Sequence, residues 1–140
     1  MKATTRILTL CMLIVLSLSL AIPASARASN YFNSTGVSVT AVGDGKIQIK
    51  TTVRATDIMT ELGATSLVVK EKQPNGGFKT VHTYTKETLP SLVQRQQASA
   101  RTYVFYQGTP GKTYQVTAFF FAKNSSGSDT RVRTSSSVVA

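Results

Sequence analysis

The chain has 140 residues, with 16 Lys and Arg against 6 Asp and Glu, one His, one Cys and no Trp. That length suits one domain and leaves little room for a two-domain enzyme. Six carboxylates, one imidazole and one thiol are sparse material for acid–base chemistry, while a formal charge of +10 points towards anionic surfaces or polymers.

Lys2 and Arg6 make a positive start before an apolar run from Ile7 to Leu20. Pro23 breaks that run, and two small-x-small sites follow, Ala24-Ser25-Ala26 and Ala26-Arg27-Ala28. This is the three-part layout of a secretory signal peptide over residues 1–28. The protein is therefore expected outside the cell, released or loosely wall-associated, with no membrane span after cleavage. A spanning helix needs about 20 apolar residues, and the fourteen from Ile7 to Leu20 include Thr and Ser. Cys11 lies inside the run, behind Leu8-Thr9-Leu10, without the small residue that precedes a lipidated cysteine. Cleavage after Ala28, preferred to Ala26, removes Lys2, Arg6, Arg27 and Cys11 and leaves 13 basic residues against 6 acidic, a net of +7. Without cysteine the exported domain has only its core to hold it.

Residues 29–35 are expected to form a flexible N-terminal segment, and 36–140 one all-β domain. From Val37 the dominant period is two. Val37, Val39 and Ala41 alternate with polar neighbours, Gly43-Asp44-Gly45 turns the chain, and Ile47, Ile49, Thr51 and Val53 alternate again. Asp57 to Gly63 does not alternate, and Asp57 could cap one helical turn that Gly63 ends. Leu67, Val69 and Glu71 share one face of a third strand, and Pro74-Asn75-Gly76-Gly77 is a hairpin signal leading into a fourth, Phe78 to Thr85.

Lys86 to Ser99 is a 14-residue connection, long enough to be either mobile or functional. Leu89, Leu92 and Val93 in it could form a short helix or pin a loop. Ala100 to Gln107 is a fifth strand and Lys112 to Lys123 a sixth; after Asn124–Ser128 turns the chain, Thr130 to Val139 closes as a seventh. Seven short strands with turn signals every 8–12 residues predict an immunoglobulin-like β-sandwich.

The segment Gly108-Thr109-Pro110-Gly111-Lys112-Thr113-Tyr114, followed by Val116, Ala118, Phe120 and Ala122, resembles the start of strand F in fibronectin type III domains. There a Pro-Gly turn precedes a tyrosine whose hydroxyl bonds back to the corner's backbone. Asn124 to Arg133 resembles that fold's F–G hairpin. Two departures mark a divergent relative: Gly108 stands where those domains carry an apolar residue, and their strand B tryptophan is absent. Thr56–Ala64, Lys70–Gln73, Tyr106–Tyr114 and Phe121–Arg131 further resemble a small uncharacterised family of secreted Gram-positive bacterial proteins. That resemblance implies export and a sandwich fold, and no activity or site residues.

If Tyr114 points inward, Val116, Ala118, Phe120 and Ala122 follow it, and Phe119, Phe121 and Lys123 point outward. With Val132 inward, Arg131 and Arg133 join the outer face; with Leu67 and Val69 inward, so do Lys70 and Lys72. One face would then gather Phe119 and Phe121 among Lys70, Lys72, Lys123, Arg131 and Arg133, five of the 13 basic residues left after cleavage. Rings stack on apolar sugar faces while Lys and Arg pair with phosphate or carboxylate. The expected function is non-enzymatic binding of an anionic or sugar-containing cell-surface polymer. Protein interaction or self-assembly through strand edges and the Phe119/Phe121 face is the alternative. A plain solvated face, with Lys and Arg stems over strand aromatics, would use the same residues.

His82 is the one possible imidazole base and has no acidic residue within four positions. No catalytic, metal or cofactor site is therefore expected, and Asp44, Asp57 and Asp129 are too isolated for calcium. The triplets Asn33-Ser34-Thr35 and Asn124-Ser125-Ser126 match glycosylation acceptors by chance composition. Export argues against a specific nucleic-acid role, which charge alone would favour.

Overall fold

Ile47, Ile49, Thr51 and Val53 sit at every second position, and successive side chains of a strand point to opposite faces. The strand they form, β2 (Lys46–Met59), accordingly buries these four and turns Gln48, Lys50 and Thr52 outward. The computed structural model describes residues 29–140, so the expected signal peptide and Cys11 lie outside the described residues. Before β2 comes β1 (Phe32–Gly43) and after it β3 (Glu61–Lys72), β4 (Phe78–Thr85) and β5 (Val93–Gln94). Then follow β6 (Gln97–Gln107), β7 (Thr113–Asn124), β8 (Gly127–Thr134) and β9 (Val138–Val139).

Every pairing is antiparallel. One sheet has the order β1-β2-β6, the other β4-β3-β7-β8, with β5 added to β3 and β9 to β7. Their inner faces share one core. Ile47, Ile49 and Val104 from the first sheet meet Leu67, Val69, Tyr114, Val116 and Phe120 from the second. Each fully buried side chain of this size contributes about 1.5–3 kcal/mol.

Several expectations change. There are nine strands among the described residues rather than seven, because two-residue pieces (β5 and β9) pair separately. The last expected strand is cut at Ser135, whose hydroxyl accepts from the Val116 N–H at 3.0 Å. Asp57 to Gly63 forms no helical turn. There β2 runs to Met59 and β3 begins at Glu61, with Met59 and Leu62 both fully buried. Extended backbone wins because it sends those two side chains into the core. Segment 29–35 belongs largely to the sandwich: β1 starts at Phe32, which is buried.

The 86–99 connection is anchored. Pro90–Leu92 makes one 3₁₀ turn whose Leu92 is 1% exposed within the core, and Val93 pairs with Gly63. A Cβ at Gly63 would collide with the Leu92 carbonyl, so the crossing needs glycine.

Candidate functional site

Residues paired across antiparallel strands share a face, so register alone assigns the outer surface. On the larger sheet Phe119 pairs with Ser66 and Val132, Phe121 with Gly63 and Thr130, and Lys123 with Glu61 and Ser128. Phe119, Phe121 and Lys123 therefore share the outer face. Lys70 and Lys72 are on it too, but Lys70 pairs with Gln115, four residues from Phe119 and about 13 Å along the strand. Lys72 lies further still, opposite Phe78.

Arg131 and Arg133 are not on that face. They pair with Phe120 and Ala118, which point inward, whereas Val132 pairs with Phe119 and is 50% exposed. The two-residue turn at Ser125–Ser126, with the Ser126 N–H donating to Asn124 Oδ1 at 2.8 Å, fixes this register. As β8 is the sheet's edge strand, its inward side opens to solvent. There the Arg131 guanidinium lies 5.7 Å from the centre of the buried Phe32 ring. Val132 is apolar yet faces outward, so apolarity does not mark the inner side of this edge strand.

What is left of the expected face is divided. Lys86, at the start of the long connection, sits 5.9 Å from the Phe121 ring centre and covers it. Beside it a depression of about 280 Å³ carries both signs of charge, Glu61 and Glu87 with Lys86 and Arg95. Glu87 is held below the usual carboxylate range by its own backbone N–H and by Thr85. Carboxylates at this end oppose anion binding.

The outer face of the smaller sheet is different. Its rows, read from β1 through β2 to β6, are Thr40–Gln48–Phe105, Ser38–Lys50–Tyr103, Gly36–Thr52–Arg101 and Ser34–Arg54–Ser99. Lys46 opens the face beside Gln107. Four cations and two aromatic rings stand here and no carboxylate falls on these rows; Asp44 lies in the turn before them and Asp57 beyond them. Phe105 and Tyr103, at 54% and 48%, are more exposed than Phe119 at 39%. Around Arg54 and Arg101 the surface opens into a depression of about 540 Å³, also lined by Ser34, Thr52 and Ser99 and, between them, by the buried Val53 and Ala100. The sequence signal was present as the alternation Arg101, Tyr103, Phe105, but the positions of Lys50 and Arg54 beside it depend on register.

Between the sheets, Tyr114 is almost fully buried and its hydroxyl accepts from the Thr109 N–H at 2.8 Å and donates to Glu71 Oε2 at 3.1 Å. A Cβ at Gly108 would stand 2.7 Å from that ring, which explains glycine there. His82 packs edge-on to Tyr84, with centroids 4.4 Å apart, and lies 5.8 Å from Tyr106. Burial raises the phenol pKa of Tyr84, and burial followed by Tyr114 and Glu71 raises that of Tyr106. Among the described residues no three His, Cys, Asp or Glu side chains group as metal ligands.

A scan against models of known protein families finds no match for this chain. A search of curated proteins finds none either.

Proposed function

We propose that this is a secreted, non-enzymatic β-sandwich of the fibronectin type III kind that binds an anionic, sugar-containing cell-surface polymer. The strand orders β1-β2-β6 and β4-β3-β7-β8 and the bond from Tyr114 back to Thr109 support the fold assignment. The signal-like segment 1–28 supports export. Non-enzymatic action is supported by the scarcity of acid–base groups, whose lone imidazole is packed against tyrosines.

The observation that carries the binding function is the outer face of the β1-β2-β6 sheet. Lys46, Lys50, Arg54 and Arg101 surround Tyr103 and Phe105 without an intervening carboxylate. A linear polymer fits such a face, stacking sugars on the rings and pairing its charges with the cations. The test is retention on purified cell-wall fractions at low and high salt. Wild type should bind at low salt and release at high salt, and Tyr103→Ser/Phe105→Ser should bind far less. Retention of that variant equal to wild type would refute this choice of face.

A second reading has its own support. Phe119 and Val132 stand side by side and outward on the larger sheet, an apolar pair suited to a protein partner or a second copy. It predicts an association that survives high salt and fails in Phe119→Ser/Val132→Ser.

A further inference from the structure

We infer that the depression between Arg54 and Arg101 is the seat of a phosphate group, carried by a sugar-phosphate chain whose other units lie over Tyr103 and Phe105. The inference rests on the polymer-binding reading of this face and names the chemical group that anchors it.

Three strands supply the donors: Ser34 from β1, Thr52 and Arg54 from β2, and Ser99 and Arg101 from β6. Arg54 pairs with Ser99 and Thr52 with Arg101, so the two arginines are diagonal neighbours, roughly 7–8 Å apart at the backbone. Their side chains can converge on one group between them. Among the described residues the one ion pair joins Lys112 and Glu71, so no carboxylate neutralises either arginine. Two like charges held this close repel, and a shared anion relieves that repulsion. A planar carboxylate offers its acceptors in one plane and matches one guanidinium edge. A tetrahedral phosphate offers oxygens in several directions, as donors arriving from three strands require.

The rest of the face continues the site. On β6 the outward residues run Arg101, Tyr103, Phe105, in steps of about 7 Å. Lys50 and Gln48 lie beside the two rings. Beside these rows β1 presents Ser34, Gly36, Ser38 and Thr40, all small, which leaves room for a chain lying against the rings; the exposed Val42 lies beyond them, at the far end of the strand. A depression of about 540 Å³ holds one sugar-phosphate unit, within the range of small-molecule sites.

The test follows backbone amide NMR shifts of the purified protein titrated with glycerol 1-phosphate or, separately, with galacturonate. Glycerol 1-phosphate should move the amides of Ser34, Arg54, Ser99 and Arg101, and galacturonate should leave them nearly still. In parallel, Arg54→Gln/Arg101→Gln should lose retention on immobilised poly(glycerol phosphate) bearing glycosyl substituents by about 30-fold. Lys70→Gln/Lys72→Gln removes the same charge from the other sheet and should lose less than about threefold. Equal losses in the two variants would overturn the inference in favour of bulk charge. Galacturonate moving the same amides as strongly would overturn the choice of phosphate, and amides silent to both would overturn the seat itself. The broader reading fails separately. If wild type holds no polymer while glycerol 1-phosphate still moves the four amides, the phosphate seat stands and the polymer function falls.

Discussion

Leu92→Ala tests whether the 86–99 connection is part of the core. Leu92 lies in a single 3₁₀ turn between two exposed stretches, yet only 1% of it is accessible and it belongs to the cluster shared by both sheets. Truncation removes the transfer free energy of three carbons and leaves a cavity whose walls include Gly63's strand, which relaxes poorly. Leucine-to-alanine changes at such positions cost about 2.7–5 kcal/mol, and about 3 kcal/mol is a fair value for a site next to a loop able to shift slightly. A domain of about 110 residues unfolds with an entropy near 0.23 kcal/mol/K. The melting temperature should therefore fall by roughly 13 °C, read by circular dichroism or calorimetry. Urea unfolding should lose midpoint without a change of slope, since the same surface is exposed on unfolding. A fall of less than about 3 °C would mean that the turn can leave the core cheaply, and the anchoring argument would be wrong.

Tyr114→Phe strands the Thr109 N–H and removes a donor from Glu71, at a cost of about 1–3 kcal/mol in denaturant unfolding; an unchanged midpoint would show water replacing both bonds. Tyr84 and Tyr106 should ionise above the ordinary phenol value in an absorbance titration near 295 nm, because burial disfavours their phenolates. Their folded pKa values are raised, so their contribution to stability is complete below about pH 10 and is lost as pH rises through the folded values. Stability rising with pH in that window would contradict the assignment. Arg131→Gln should cost about 0.5–1 kcal/mol by uncovering Phe32 while leaving polymer retention unchanged; a retention loss matching that of Arg54→Gln/Arg101→Gln would restore it to the binding face.

Alternation in Ile47–Val53 and Tyr114–Ala122 was enough to name strands and their buried sides, because a period of two has one physical meaning when one face is apolar. The hairpin at Asn75-Gly76 and the turn at Gly43-Asp44-Gly45 were equally legible, since positive φ restricts the residues that can stand there. Composition likewise set the basic surface and the shortage of catalytic groups. The break at Asp57–Gly63 was not legible, because whether Met59 and Leu62 are buried by a strand or a helix depends on what lies across the sandwich. Nor was the face of Arg131, Val132 and Arg133, for apolarity points inward only where an opposing sheet exists to receive it. At the edge strand β8 the turn length decided instead. The pairing of Arg54 with Ser99 and of Lys50 with Tyr103 joins positions about 45–53 residues apart. No local pattern encodes that distance; only the closing of β6 onto β2 brings those cations beside those rings.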